Sequence, residues 1–232
     1  MHILLTRPLD DSLLMIQRFK DLGHDVSHLP LLKIEKVENR NFNFNNYDAL
    51  IFSSSNSIKF LDTKNINKNT KCFSVGPATE KKLRSLGFQN IIPAEGSVNS
   101  LLEIIQNNYD NSVGKLLYIS GEIVSYDLEK DLKNKGYNID RLVNYKTTHN
   151  IFEDPIFIKN LEKKIPDIVY IYSENSAKSF LKFIRSSGLK DSWMNTNLMC
   201  MGEKASTILN EIKWKKIFLF NPGEEEFLLY KI

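Results

Sequence analysis

The chain is short of the residues from which metal sites and disulfide frameworks are built. Its 232 residues include two cysteines and four histidines. Cys72 and Cys200 form no Cys-x-x-Cys pair, and no Cys/His cluster has zinc-site spacing, so we expect no metal site. His24 and His28 are four residues apart, but the local pattern predicts a turn and a strand rather than a helical face that both could share.

Long apolar runs and the common nucleotide and hydrolase motifs are missing too. No segment approaches the roughly 20 apolar residues of a membrane helix, and the N-terminal run is too short for a signal peptide. We therefore expect a cytoplasmic protein with reduced thiols and no membrane partner. The absence of G-x-G-x-x-G after the first strand, of G-x-x-x-x-G-K-[ST] and of G-x-S-x-G argues against a dinucleotide site, a P-loop and a nucleophile elbow.

Charge is not concentrated in any one segment. The net charge is +3, and charged residues make up 25% of the chain. No block of lysine and arginine marks a nucleic-acid arm, so we expect no nucleic-acid partner. The hydrophobic fraction of 42% is ordinary for a folded protein, and the length allows one large domain or two small ones.

Short apolar runs alternate with longer amphipathic stretches along the whole chain. The runs predict strands at Ile3–Thr6, Val26–Ile34, Ala49–Ser53, Cys72–Val75, Ile91–Pro93, Leu116–Ser120, Ile139–Thr147, Ile168–Ser173, Leu198–Met201 and Ile217–Phe220. Gly23, Gly87, Gly136 and Gly188 follow predicted helices at positions suited to left-handed caps. This alternation predicts an α/β fold with parallel sheets flanked by helices on both faces.

Three local patterns occur twice in the same order. "YDALIFSSSNSIKFL" is similar to "PDIVYIYSENSAKSFL", "VGPATEKKLRSLG" to "MGEKASTILNEI", and the opening strand and helix end to the segment beginning "KLLYISG". Their common order indicates two related sequence halves, roughly 1–112 and 113–232.

Serine, asparagine and glycine recur where predicted strands end and helices begin. Serine and asparagine cap helices well, and capping alone explains any isolated cluster. The alternative is that exposed N–H groups and the helix dipole hold anionic groups of a ligand, because ligands of parallel sheets bind beyond the carboxyl ends of strands. The candidate positions are Ser53, Ser54, Asn56, Ser74, Gly76, Thr79, Ser120, Gly121, Ser173, Ser176, Gly202 and Lys204.

In order and spacing, these segments resemble the uroporphyrinogen-III synthase family over essentially the whole chain. The resemblance is carried by "LLTRP", "DALIFSSSNSIKFL", "FSVGPATEKKLRSLGF", "KLLYISG", "VNYKT", "IVYIYSENSAKSFL" and "MCMGEKASTIL". It implies two HemD-like α/β domains, each a parallel sheet flanked by helices, joined by a two-stranded ladder. The implied bounds are 1–35 plus 149–232 for domain one, which is discontinuous, and 37–147 for domain two.

The resemblance also implies an activity. The family cyclises hydroxymethylbilane, a linear tetrapyrrole polycarboxylate, to uroporphyrinogen III with inversion of ring D and loss of water. This makes the chain a cyclising carbon–oxygen hydro-lyase of haem biosynthesis that needs no cofactor, and we expect it to be a monomer.

Tyr145 matches the tyrosine that the family is proposed to use in hydroxyl loss. A phenol is a weak acid, so we expect a contribution of about tenfold to a thousandfold; the alternative is a strand aromatic at the domain junction. By the same matching, Ser54, Ser74, Thr79 and Ser173 would contact carboxylates. Arg7 would pair with a substrate carboxylate or form a surface ion pair.

Two departures from the family pattern affect individual contacts. "GEIVSYDL" lacks the arginine that usually follows the third-quarter strand, and Gly202-Glu203-Lys204-Ala205 replaces a hydroxyl-bearing turn. Two other kinds of protein remain as alternatives: a non-catalytic two-domain small-molecule binding protein, and a regulatory domain of a longer protein. The absence of a signal peptide counts against the first, and the neat start and end of the chain against the second.

Overall fold

Strands and helices alternate along the chain in the computed structural model, which describes residues 1–39, 42–150, 152, 154–221, 223–226 and 229. The strands are β1 (His2–Leu5), β2 (Asp25–His28), β3 (Leu32–Lys36), β4 (Ala49–Phe52), β5 (Lys71–Ser74), β6 (Ile91–Pro93), β7 (Leu116–Gly121), β8 (Ile139–His149), β9 (Ile168–Ile171), β10 (Asn197–Cys200) and β11 (Lys216–Leu219). The α-helices are α1 (Leu9–Asp21), α2 (Asn56–Lys59), α3 (Pro77–Ser85), α4 (Val98–Asn108), α5 (Leu128–Asn134), α6 (Pro155–Lys163), α7 (Glu174–Ser187) and α8 (Glu203–Leu209).

The chain divides into two compact units. Unit 1 comprises Met1–Lys33 and Thr148–Ile232, and unit 2 comprises Ile34–Thr147. The strands of unit 1 form a five-stranded sheet in the order β11-β10-β9-β1-β2, whose pairs are all parallel. The six-stranded sheet has the order β3-β8-β7-β4-β5-β6. β3 and β8, which are neighbours in that sheet, contain the two points where the chain passes from one unit to the other. The predicted domain bounds stay a prediction of domain organisation.

Each sheet is buried on both faces, and this explains the uninterrupted apolar runs. Alternate residues of one strand enter different clusters: Leu4 packs with Val169, whereas Ile3 packs with Ile168. In unit 2, Ile51 and Leu50 likewise belong to separate clusters. A parallel sheet covered by helices on both faces needs apolar side chains at nearly every strand position. The predicted α/β class is thus confirmed.

The predicted strand Val26–Ile34 is wrong as one element. The structure divides it into β2 and β3, which belong to different sheets. The division falls at Pro30, which has no N–H for a ladder. Leu29 and Leu31 on either side donate their N–H groups to Leu5 and Thr6, and the carbonyl of Pro30 accepts from Asn150.

The glycine caps are confirmed. Gly23, Gly87, Gly136 and Gly188 have φ angles of 80°, 89°, 87° and 73°. These values lie in the left-handed region that glycine enters without the steric cost borne by other residues.

Both cysteines are free and buried within their sheets. Burial raises the pKa of the Cys72 thiol and of the Cys200 thiol to about 12. Both groups are therefore protonated at neutral pH and act as small apolar core residues.

Phe180 should be the residue whose truncation most clearly weakens unit 1. It is fully buried, and its ring centroid lies 5.1 Å from that of Trp193 and 6.1 Å from that of Trp214. We expect Phe180→Ala to lower the free energy of unfolding by about 3–5 kcal/mol, because a cavity replaces the ring. Urea unfolding followed by tryptophan fluorescence measures this, since Trp193 and Trp214 are the chain's two tryptophans. Leu14→Ala on the exposed side of α1 is the control, with an expected change within about 0.5 kcal/mol; equal effects would contradict the prediction.

Candidate functional site

Polar side chains of unit 2 collect at the carboxyl ends of the neighbouring strands β4 and β7, beside the longer strand β8. Parallel pairing brings these ends to the same edge of the sheet. Ser53 follows β4, Ser120 and Gly121 end β7, and Tyr145 lies opposite Gly121 on β8. Four of the sequence-predicted site residues therefore lie at adjacent positions of one edge.

Tyr145 lies directly against the backbone of Gly121. A methyl group built on Gly121 would be 2.7 Å from Cζ and 3.0 Å from Oη of Tyr145. Real Cβ atoms do not come so close, so any side chain at position 121 would displace the ring. The requirement for glycine here is steric and comes from the tyrosine. The ring is half-buried, which leaves part of it at the surface, and its catalytic role stays a prediction.

Arg141, on the neighbouring strand β8, forms hydrogen bonds to the end of β7. Its Nε donates to Oγ of Ser120 at 2.7 Å, and its Nη2 donates to the carbonyl oxygens of Gly121 at 2.6 Å and Glu122 at 2.9 Å. The hydroxyl of Ser120, which is fully buried, also donates to the carbonyl of Gly121. Ser120 thus holds this strand end together, and its hydroxyl has no open face toward a ligand in this structure.

The hydroxyl of Ser53 forms a hydrogen bond with a second tyrosine. Its Oγ lies 2.7 Å from Oη of Tyr118, a buried residue of β7. Burial raises the pKa of Tyr118, while the hydrogen bond with Ser53 and the positive charge of Arg141 act in the opposite direction. Tyr118 is therefore a protonated hydrogen-bonding residue at neutral pH.

The turn that follows Ser53 is closed by its own hydrogen bonds. The Oγ of Ser54 accepts from the N–H of Asn56 at 3.2 Å, and its carbonyl accepts from the hydroxyl of Ser57. Asn56 is the first residue of α2, which has only four residues and whose cap residue, Ser55, makes no side-chain cap bond. Ser54 and Asn56 therefore lie at the predicted edge, in a tight polar turn.

The three candidates after β5 are mostly closed to solvent. Ser74 is fully buried and Thr79 is 3% exposed. Within the described part of the chain, the Oγ of Ser74 has no hydrogen-bond partner. A methyl group on Gly76 would lie 3.3 Å from Cα of Gly96, so the close approach at this glycine is to the chain's own backbone. Pro77 begins α3, as its fixed φ favours.

Arg7 of unit 1 forms a surface ion pair and lies over an aromatic ring, and its pairing with a substrate carboxylate stays a prediction. It follows β1, its guanidinium carbon lies 4.9 Å from the ring centroid of Tyr172, and its Nη2 lies 3.7 Å from Oδ2 of Asp11. Burial raises the pKa of Tyr172, and Glu225 raises it further, while Arg7 opposes both. The carbonyl of Arg7 accepts hydrogen bonds from Ser12 and His28, so the backbone beneath this cation is fixed.

Ser173 caps α7, as helix-capping chemistry predicts. Its Oγ accepts from the N–H of Ser176 at 3.1 Å and lies 2.9 Å from the Oγ of Ser176. That N–H is therefore already used. Gly202 and Lys204 are exposed at the start of α8. Lys178 lowers the pKa of Glu174, and Lys204 acts in the same direction, so the charges at the starts of α7 and α8 influence each other.

Three site residues escaped the sequence analysis: Tyr118, Arg141 and Tyr172. Tyr118 and Tyr172 lie in apolar strand runs that indicate core positions. Arg141 lies in "NIDRLV", where an isolated charge is typical of a solvated strand position. The available signal was position alone: Arg141 is four residues before Tyr145 on the same predicted strand.

The described residues lack both a metal-binding cluster and a membrane-spanning helix. They contain no group of three or more His, Cys, Asp or Glu side chains arranged to hold a metal ion. Nor do they include a helix with the length and apolar character needed to cross a membrane.

The fold is that of a two-unit α/β protein with polar residues at the carboxyl ends of its strands in both units. Residues 14–219 match the profile of the family described as uroporphyrinogen-III synthase HemD, and the chain belongs to that family. This confirms the resemblance inferred from the sequence.

Two curated relatives and two solved structures are similar to the chain. "Porphyrin biosynthesis protein HemD" of Ruminiclostridium josui is 25% identical over 163 residues, which are 63% of this chain and 32% of that protein. The chain thus spans about a third of that relative. "Putative uroporphyrinogen-III synthase" of Methanocaldococcus jannaschii is 26% identical over 195 residues, 79% of this chain and 78% of that protein.

The structural likeness extends over the whole chain. The uroporphyrinogen-III synthetase of Helicobacter pylori has a TM-score of 0.65 at 16% identity, covering 100% of this chain and 99% of that one. A mutant uroporphyrinogen III synthase of Thermus thermophilus has a TM-score of 0.58 at 14% identity, covering 99% and 97%. At these identities the likeness shows the shared two-domain α/β fold.

The contact between Gly121 and Tyr145 gives a direct test of the site geometry. We expect Gly121→Ala to lower the free energy of unfolding by about 1–3 kcal/mol, because the methyl group has no room beside the ring. In a Tyr145→Ala background the same change should cost less than about 1 kcal/mol, since the obstructing ring is gone. Urea unfolding followed by circular dichroism gives both values. Tyr126→Ala, which truncates an exposed tyrosine, is the control background, and in it Gly121→Ala should cost as much as in the parent. Equal costs in the parent, Tyr145→Ala and Tyr126→Ala backgrounds would contradict the contact between Gly121 and Tyr145.

Proposed function

We propose that the chain is a uroporphyrinogen-III synthase, which cyclises hydroxymethylbilane to uroporphyrinogen III with inversion of ring D and loss of water. The observation that carries the proposal is the family match over residues 14–219, which includes residues of both units. On this proposal the enzyme is a cyclising carbon–oxygen hydro-lyase of haem biosynthesis. Its partner is the linear tetrapyrrole polycarboxylate, and no metal or cofactor takes part.

The reaction begins with departure of the terminal hydroxyl group. Tyr145 donates its phenolic proton to that oxygen, the C–O bond breaks, and water leaves behind an azafulvene cation. The cation forms a carbon–carbon bond to the substituted α carbon of ring D, which gives a spiro intermediate. The original bond between that carbon and the bridge to ring C then breaks, and the bridge re-forms its bond at the free α carbon of ring D, so the ring is inverted and the macrocycle closes. The proton lost from that free α carbon restores the phenol. The position of Tyr145 supports this role, because its half-buried ring is fixed on Gly121 at a strand end.

The carboxylates of the substrate need donors, and the site candidates differ in what they can offer. Arg7 and Lys204 are cations at strand ends of unit 1, and we assign them to carboxylate binding. In unit 2, the half-buried Ser53, Ser54 and Asn56 are assigned to polar contacts with the substrate.

The other candidates act through the backbone and its packing. Ser74, Gly76, Thr79, Ser120, Gly121 and Ser176 are buried, and Ser173 and Gly202 flank the first turns of α7 and α8. Their proposed contribution is to shape the turns and to orient N–H groups toward anionic arms.

Three further proposals concern the setting of the enzyme. We propose domains comprising 1–35 plus 149–232 and 37–147, a monomer, and a cytoplasmic location. Size-exclusion chromatography with light scattering tests the monomer, for which the expected mass is 26.9 kDa.

The activity itself is tested by the identity of the product isomer. Hydroxymethylbilane cyclises spontaneously to the unrotated isomer I, so a synthase must divert it to isomer III. We expect the full chain to yield mainly isomer III, resolved by chromatography after oxidation. Heat-denatured protein is the control and should leave isomer I. If the folded chain also leaves isomer I, the synthase proposal fails, and a non-catalytic binding protein becomes the better interpretation.

Tyr145→Phe tests the proton donor. Removing the phenolic hydroxyl should lower kcat for isomer III by about tenfold to a thousandfold, because the leaving hydroxyl loses its acid. KM should change little, since the ring and its packing on Gly121 remain. Tyr126→Phe, which removes an exposed hydroxyl, is the matched control with unchanged turnover. A kcat for Tyr145→Phe within twofold of the parent would remove Tyr145 from the mechanism.

A further inference from the structure

We propose that Arg141 is a positioning residue, which holds the end of β7 in the form that seats Tyr145. The proposal rests on the proposed function, because it concerns how Tyr145 is placed for proton donation. It assigns a role to a charged strand residue that takes no part in the reaction described above.

The pairing between β7 and β8 is irregular near Tyr145. Ser120 pairs with Val143, but Gly121, the next residue, pairs with Tyr145. Asn144 is therefore an extra residue on β8, and the ladder has a bulge at this point. Bulges re-aim the side chains that follow them and need other contacts to fix the disrupted ladder.

Arg141 supplies those contacts. Its guanidinium bonds Ser120, Gly121 and Glu122, three consecutive residues that span the bulge on the β7 side. All three acceptors are uncharged oxygens, two of them carbonyls where regular pairing ends. A planar guanidinium presents several donors in a fixed arrangement, which an ammonium group cannot reproduce.

Tyr145 contacts two of the same three residues. Its ring lies against Gly121, and its carbonyl accepts the N–H of Glu122 at 2.9 Å. A shift of the Gly121–Glu122 peptide would therefore move both the surface beneath the ring and the backbone of the tyrosine. Arg141 and Tyr145 both contact the Gly121–Glu122 peptide, so the arginine positions the tyrosine without contacting the substrate.

The decisive experiment is a double-mutant cycle on the full chain with a second, spectroscopic readout. The variants are Arg141→Met, Arg141→Lys and Tyr145→Phe, with both double variants. We expect Arg141→Met to lower kcat about tenfold with KM within about twofold, because a misplaced acid slows the chemical step more than binding. The kcat of Arg141→Lys should lie between those of Arg141→Met and the parent. In the Tyr145→Phe background either change should alter kcat less than about twofold, since the residue being positioned has lost its acid.

Arg84→Met is the matched control. Arg84 lies on α3 of the same unit, pairs with Glu80, and is exposed. Its replacement should leave kcat and KM unchanged.

Three kinetic results would overturn the proposal: an unchanged kcat in both folded Arg141 variants, an equal fall in kcat in the parent and Tyr145→Phe backgrounds, or a raised KM with unchanged kcat. The last would indicate that Arg141 binds a substrate carboxylate instead.

An NMR measurement tests whether Arg141 positions Tyr145 independently of whether the chain is a synthase. The ring of Tyr145 should shift the NMR resonances of the Gly121 α protons, and a Tyr145→Leu variant supplies the values without the ring. In Arg141→Lys we expect those resonances to move by about half or more toward the Tyr145→Leu values. If they stay at the parent values, Arg141 does not position the ring. If the parent forms no isomer III, the synthase proposal fails on its own evidence, while the resonances still decide whether the arginine holds the tyrosine.

Discussion

The burial of both faces of each sheet is the constraint on which the rest of the structure depends. Because helices cover both faces, nearly every strand position must be apolar, and polar side chains are confined to strand ends and edges. Parallel pairing then brings the carboxyl ends of neighbouring strands to one side. The polar groups around Tyr145 follow from this constraint: Ser53, Ser120 and Gly121 lie where the neighbouring parallel strands β4 and β7 end.

At that edge, local packing decides which groups remain available for chemistry. The hydroxyl of Ser120 is hydrogen-bonded to Arg141 and that of Ser53 to Tyr118. These bonds stabilise the edge, because a buried hydroxyl without a partner costs about 1–3 kcal/mol. The buried hydroxyl of Ser74 illustrates the exception, since it has no partner among the described residues. A site built in this way works mainly by holding shapes and dipoles in place.

A feature of the fold could be predicted from the sequence where it leaves a local sequence pattern. The strands followed from apolar runs such as "DALIF", and the helix ends from Gly23, Gly87, Gly136 and Gly188, because burial on two faces and left-handed caps leave a local pattern. The predicted strand Val26–Ile34 ran through Pro30, because the division between two sheets at that residue depends on the partners of each part.

The role of Arg141 could not be predicted, because its acceptors include backbone carbonyls, which every residue possesses. Ser74 was selected for its type and position, but its complete burial depends on neighbours distant in sequence. The contact of Tyr118 with Ser53 could not be predicted either, since an aromatic residue in an apolar strand normally indicates only core packing. Such side chains acquire their roles from tertiary contacts that no local pattern records.

The connectivity of the two units has a consequence for synthesis on the ribosome. β1 pairs with β2 on one side and with β9 on the other, so its second partner begins at Ile168. Two strands alone are marginal in water. Residues 1–33 therefore reach their second partner, β9, only after the continuous segment Ile34–Thr147 has been synthesised, and this order lets unit 2 fold before the sheet of unit 1 is complete.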